Sequence, residues 1–469
     1  MPGFGVTVRD ASTLTLWVML VASAGCAGRI RASGPSAAGP EITEASVRSH
    51  MEFLAGDALN GRASGTRDEW IAASYLAAQM RKWGLEPLGD AGGFVKTVEM
   101  EAGEVVTPPV LTVGDTRFTH GKEMIATALT GARSSGRLKS YTPGTDVGPA
   151  DVVLLPEIDQ AIAAATSRAA LTLIKASAAN LKNWSQIGGR PVSLPVRIVG
   201  VPPAPRPARV LLDAAAYAAL ERTAAGTLIS LDVQVKPGPK SQTWNAMGRL
   251  TGHDPILAKD VILLTAHLDH LGSRSPGPNA AGDAIYNGAD DDASGCVAVL
   301  ELMEALATGK RPKRTLVFTW FGSEESGGHG ARFFIDQPPV PLDTIVANLE
   351  FEMIGRPDAA VAAQTLWLTG YERTNLGPEL ARRGARLVAD PHPQQNFFSR
   401  SDNIVLALRG IIAQTVSSYG LHKEYHSPSD DLQHIDFAHM TTAIRSMLGP
   451  VRWLANSTFR PEWLPGKKP

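Results

Sequence analysis

Arg314-Thr-Leu-Val-Phe-Thr-Trp-Phe321 runs straight into Gly-Ser-Glu324-Glu325. The apolar run predicts a buried strand, and the carboxylate pair sits at its end. On a strand end neighbouring side chains point apart, so one glutamate can bind a metal while the other faces a substrate. Similar ends recur along the chain. Val261-Ile-Leu-Leu-Thr-Ala266 leads into His267-Leu-Asp269, Gly288-Ala-Asp-Asp-Asp-Ala-Ser-Gly295 forms an acidic turn, and Glu350-Phe-Glu352 and Tyr425-His426 follow. Hard oxygen and imidazole donors gathered from distant segments are what a two-metal hydrolase site requires.

From Trp244 onward predicted strands alternate with predicted helices, the pattern of an α/β fold. Strands are expected at 261–266, 315–321, 344–349, 365–369 and 410–416, and helices near 294–307, 328–336, 375–383 and 436–455. In open sheets of this kind ligands gather beyond the carboxyl ends of the strands, where His267, Glu324 and Glu352 fall. Ahead of this region, apolar spacing predicts helices over 46–59 and from Trp70 to Met80. Residues 104–240 change character, with short β-like runs and alanine-rich helical stretches at 161–170 and 213–225. None of the clustered ligands lies there, so the block reads as an inserted α/β module.

The chain has 469 residues and a net charge of −1, with basic residues scattered, so nucleic acid is not an expected partner. Arg9 precedes an apolar stretch, Leu14 to Ala22, that is too short to span a bilayer and leads to Cys26. Residues 1–26 therefore read as an export signal, followed by a Ser/Gly/Pro/Ala linker over 27–41. Two fates stay open: a lipidated Cys26 that tethers the product to a membrane, or an ordinary secreted or periplasmic protein. The other cysteine, Cys296, would then have no partner, and it reads as a small buried thiol.

Taken in order, these motifs and the leading stretch His50-Met-Glu-Phe-Leu-Ala-Gly-Asp-Ala-Leu-Asn-Gly-Arg62 resemble metallopeptidase family 28, the co-catalytic zinc aminopeptidases. Glutamate carboxypeptidase II, the animal glutaminyl cyclases and the transferrin receptor are relatives of that family. The resemblance implies a three-layer α/β/α domain with a mixed, mostly parallel sheet over 42–103 and 241–458. It also implies a protease-associated-like module over 104–240, expected to act as a lid or to select substrates, and a tail over 459–469.

The same resemblance implies two zinc ions, or other divalent ions, held by His267, Asp291, Glu325, Glu352 and His426, with Asp291 bridging. Glu324 becomes the general base, able to take a water proton and deliver it to a leaving amine. Asp269 is expected to accept the second N–H of His267 and fix its tautomer. Tyr425 is a candidate donor to a developing oxyanion. Two alternatives stay open from the residues. His270 competes with His267, although it should lie on the opposite face of an extended segment. Glu350 competes with Glu352, because alignment on Asn348-Leu349 favours one and alignment on Met353-Ile-Gly355 the other. The implied activity is removal of N-terminal residues from peptides. A carboxypeptidase, a glutaminyl cyclase and a non-catalytic binding protein are the alternatives, the first needing an arginine cluster of which only Arg356 and Arg400 are candidates.

Overall fold

Continuous apolar runs on the central strands call for cover on both faces of one sheet, and helices supply it. The computed structural model describes residues 41–202, 206–274 and 282–469. The export-signal reading, most of the linker and Cys26 lie outside the described residues. Two helices lead, α1 (Glu44–Leu54) and α2 (Arg67–Lys82), each started by a threonine whose hydroxyl accepts a backbone N–H of the first turn. Then come β1 (Val95–Val105), β2 (Val235–Leu250), β3 (Val261–His267), α3 (Gly295–Ala307), β4 (Thr315–Phe321), α4 (His329–Asp336) and β5 (Ile345–Phe351). The chain closes with β6 (Leu366–Leu368), α5 (Leu376–Arg382), β7 (Leu387–Ala389), α6 (Asn403–Ala407), β8 (Ala413–Ser417) and α7 (Phe437–Asn456).

These strands form one mixed sheet in the order β7-β6-β8-β5-β3-β4-β2-β1. Its centre, β4-β3-β5-β8, is parallel, while β2 and β6 run antiparallel to their neighbours β4 and β8. Every residue of β3, β4 and β5 is buried. On β3, Ile262, Leu264 and Ala266 pack into the core shared with α1, α3 and α7, whereas Val261 and Leu263 pack with Phe334 of α4 and Leu406 of α6. That alternation makes three layers, a fully covered parallel centre being the rule for such sheets.

Residues 110–232 supply a second, eight-stranded sheet with its own apolar core around Leu111, Val152, Leu173, Val210 and Ile229. The chain leaves the main sheet along β1 and returns along β2, with Val235 paired opposite Val105. No helix among the described residues is long and apolar enough to cross a membrane.

Three expectations need correction. The helix expected over 46–59 ends at Leu54 and yields to a separate 3-10 turn at Asp57–Leu59, because Gly56 between them is extended, with φ −77° and ψ 149°. The alanine-rich stretch 161–170 is helical only over Gln160–Ala165, since Leu171–Lys175 is drawn into the middle of the second sheet. The stretch 213–225 is helical only over Ala214–Glu221, giving way before the strand Leu228–Asp232. Helix propensity is a weak prior against strand pairing.

Candidate metal centre

Parallel strands end on one edge, and that edge collects the donors. His267 is the last residue of β3 and pairs in register with Phe321, the last of β4. Glu324 and Glu325 follow β4 after a turn in which Ser323 has φ 58°, and Glu352 follows β5 just before Met353 with φ 52°. The acidic turn runs from Gly288, at φ 58°, into the start of α3, and His426, at φ 53°, comes from the long loop after β8. Non-glycine residues in the left-handed region beside a cluster of polar groups are typical of sites whose surroundings over-determine the backbone.

Asp291 stands between two groups of donors. His267, Asp291 and Glu352 form one set, and His270, Asp291 and Glu325 the other, the donor atoms within each lying within 4.8 Å of one another. His267 Nε2 is 3.1 Å from Asp291 Oδ1, and His426 Nε2 is 3.2 Å from both Asp291 Oδ2 and Glu325 Oε2. His270 Nδ1 is 2.8 Å from Glu325 Oε1. Yet His267 Nε2, His270 Nδ1 and Glu325 Oε1 are buried with no aligned hydrogen bond among the described residues. Converging buried donors without hydrogen-bond partners are costly unless a cation completes them. The residues therefore fit a pair of divalent ions with mixed nitrogen and oxygen ligands.

Electrostatics agree with that fit. Burial raises Glu352 to about 8, with Glu350 and Asp291 adding to the rise. Burial likewise holds Glu324 well above the ordinary carboxylate range, with Asp402, Glu352 and Glu325 contributing. Burial opposes ionisation of Asp291 too, but the imidazoles of His267, His426 and His270 hold it well below that range. Asp291 is thus the carboxylate that stays ionised between the two groups.

Supporting contacts fix each segment. Asp292 accepts the backbone N–H groups of His267, Gly295 and Met353 at 3.2, 3.1 and 3.1 Å, tying three segments of the cluster to one carboxylate. Asp430 accepts the backbone N–H groups of Asp290 and Asp291 at 2.9 and 3.0 Å, and Asp290 is bonded to His422 at 2.9 Å. The expectation for Asp269 is corrected. His267 Nδ1 lies 3.1 Å from the backbone carbonyl of Asp269, whereas the carboxylate is 3.9 Å away. That carboxylate instead accepts the Ser64 hydroxyl and, at 2.9 Å, the Glu324 N–H. The reversal follows from β3 ending at His267, so that Asp269 turns toward the end of β4.

The same turn corrects the placement of His270. Its N–H bonds the Arg62 carbonyl at 3.1 Å, outside any strand of the main sheet, and its buried ring faces the cluster rather than away from it. Of the two competing glutamates, Glu352 joins the cluster, while Glu350 stays on β5 and accepts the Asn403 N–H at 2.6 Å. Tyr425 stacks on His426 with ring centroids 3.9 Å apart, and its phenol is held protonated by burial and by Asp291, Glu352 and Glu325. It lines a pocket beside Glu352 together with Trp367, Phe397, Arg400 and Tyr419.

Arg62 is a residue that sequence reasoning passed over. Its buried guanidinium donates to four backbone carbonyls: Leu54, Leu268 at 3.1 Å, Asn287 at 2.6 Å and Gly288 at 3.0 Å. It clamps the end of α1, the loop after His267 and the start of the acidic turn. The available signal was Asn60-Gly61-Arg62, a stretch whose three residues all adopt positive φ.

Residues 245–449 match the model of peptidase family M28. The chain is 33% identical over 224 residues to leucine aminopeptidase 1 of Aspergillus oryzae, which covers 44% of this chain and 55% of that one. It is 25% identical over 210 residues to a vacuolar membrane protease of Verticillium alfalfae, covering 43% of this chain and 18% of that protein. The chain thus spans less than two thirds of the length of these curated relatives. Among solved structures, an aminopeptidase from Aneurinibacillus sp. strain AM-1 shares the fold, with TM-score 0.51 and 17% identity over 92% of this chain and 97% of that one.

Proposed function

Since residues 245–449 carry the pattern of peptidase family M28, we propose that this chain is an exported, metal-dependent aminopeptidase that removes N-terminal residues from peptides. The observation that carries the reading is the pair of donor groups sharing Asp291, in which His267 Nε2, His270 Nδ1 and Glu325 Oε1 are buried without a hydrogen-bond partner among the described residues. His267, Asp291 and Glu352 would hold one zinc ion, and Asp291, Glu325 and His426 the other. Zinc, when bound, supplies a Lewis acid that polarises a carbonyl and acidifies water.

The chain's own residues do the rest. Glu324 accepts the proton of the attacking water and delivers it to the nitrogen of the leaving amine. Asp269 holds the Glu324 backbone in place through its N–H. Tyr425, a neutral phenol beside His426, donates to the carbonyl oxygen as negative charge develops there. The pocket of Trp367, Phe397, Tyr419 and Tyr425 receives the substrate side chain and excludes water. Arg356 is engaged with Glu424 at 3.0 Å, which leaves Arg400 the one cation lining that pocket among the described residues. A lone arginine does not make the cluster that a carboxypeptidase reading asks for.

The test compares aminoacyl-nitroanilides with N-acylated peptides and peptides ending in glutamate, with zinc content measured before and after chelation. Hydrolysis of the free-amine substrates, lost with zinc and regained on its return, is the expected result. Cleavage confined to acylated or C-terminal substrates, or undiminished without metal, overturns the reading. The mass of the protein recovered from its native host tests export, because processing near Cys26 removes the N-terminal residues.

A further inference from the structure

Resting on that reading, the geometry points to a sixth protein ligand: we infer that His270, through Nδ1, is a direct ligand of the metal held by Asp291, Glu325 and His426. Protein donors to one zinc ion each lie roughly 2.0–2.2 Å from it, so any two of them are separated by about 4.4 Å at most. The distances around this half of the centre meet that limit. His270 Nδ1 lies 2.8 Å from Glu325 Oε1 and 3.9 Å from Asp291 Oδ2, and His426 Nε2 lies 3.2 Å from an oxygen of each carboxylate.

The contact with Glu325 is short, yet it lacks the alignment of a hydrogen bond. Both His270 Nδ1 and Glu325 Oε1 are left without a hydrogen-bond partner among the described residues. Two lone pairs aimed at a common point fit that arrangement better than an N–H aimed at the oxygen. The ring is also held fast. A Cβ at Gly288 would come within 2.5 Å of His270 Cγ, so the glycine backbone of the acidic turn lies flat against the imidazole. Its edge meets the His426 ring with centroids 5.7 Å apart, which brings both imidazoles to one side of Asp291. The centre then has one imidazole on the Glu352 side and two on the Glu325 side.

The rival arrangement makes His270 only a positioning residue, its Nδ1–H donating to Glu325. His270→Ala and His270→Asn separate the two, because asparagine keeps a neutral N–H donor near the Nδ1 position. Zinc binding is followed by titration calorimetry, and coordination by the visible absorption of the cobalt(II)-loaded protein. Both variants are expected to keep one tight equivalent of metal and to bind the second about 100-fold more weakly or worse, at or beyond the loss typical of an outer-sphere partner. The cobalt bands of that second site should change as well. X-ray absorption of the unmodified protein loaded with two zinc ions should count three imidazoles per metal pair.

A count of two, or an asparagine variant with unchanged second-site affinity and cobalt spectrum, overturns the assignment. The retained first equivalent reports that the variants are folded, and the X-ray count needs no variant at all. An unmodified chain that takes up no zinc defeats the proposed function itself, whereas two tight metals with two imidazoles defeat only the role of His270.

Discussion

Glu324 and Glu325 are adjacent in sequence and separate in surroundings. Glu325 meets the imidazoles of His270 and His426, while Glu324 has its backbone held by Asp269 and its carboxylate among other acids. On the proposed function this division would give proton transfer to Glu324 and metal binding to Glu325. Glu324→Gln is expected to keep both metals and to lose turnover by at least about 100-fold, the usual scale for a positioned acid–base group. Metal analysis beside kcat on one nitroanilide checks it, and a variant that loses zinc instead reverses the two roles. The pair was legible because its position at the end of an apolar run is local information. The partner of Asp269 was not, since two residues of spacing do not say which way a chain turns after its strand ends.

Helices α1 and α3 meet through a buried ionisable pair away from the metal centre. His50 of α1 has Nε2 3.9 Å from Glu301 of α3 and bonds the Tyr75 hydroxyl at 2.6 Å. Burial lowers His50 to about 4 and raises Glu301 to about 7. The two act on stability with opposite signs. Between about pH 4 and 6.5 the unfolded chain binds the His50 proton more strongly, so stability from this group rises with pH. Between about pH 4.5 and 7 the folded chain holds the Glu301 proton more strongly, so stability from that group falls as pH rises. Glu301→Gln removes the second effect. The variant should melt with the parent near pH 4 and exceed it above pH 7 by up to about 3 kcal/mol, the free energy equivalent to a carboxyl raised from 4.5 to about 7. Thermal melts across that range decide it, and a difference that does not vary with pH rules it out.

Across the whole molecule, two features tie distant parts together. Arg62 joins the N-terminal helices to both loops of the centre, and lysine has neither the planar fork nor enough donors for four carbonyls. Arg62→Lys should therefore lower stability by about 3 kcal/mol, the cost of leaving one or two buried carbonyls unsatisfied. Denaturant melts measure the first effect, and zinc affinity should fall with it because the His267 loop and the acidic turn lose their common anchor. The second feature is the β1–β2 ribbon, whose pairing of Val105 with Val235 brings both ends of the second sheet's segment side by side. Replacing residues 106–234 by a tight turn should leave a folded enzyme with unchanged kcat/KM on an aminoacyl-nitroanilide and altered kcat/KM on longer peptides. Unchanged values at every peptide length remove the substrate-selecting role.

The alternation of buried strands and helices, and with it the edge on which donors gather, was legible from the residues alone. Burial on both faces leaves a continuous apolar signature in β3, β4 and β5, and the residues just beyond such runs are polar for a reason that is local. Glu352 and Glu350 could not be separated that way, since both follow the same alternation. Only the end of β5 and the claim of Asn403 on Glu350 set them apart. His270 and Arg62 became readable only in three dimensions. One depends on how the chain turns after its strand, and the other on four carbonyls contributed by segments more than two hundred residues apart. Where the physical cause was the burial of whole strands the sequence carried it, and where it was convergence of separate loops only the folded chain revealed it.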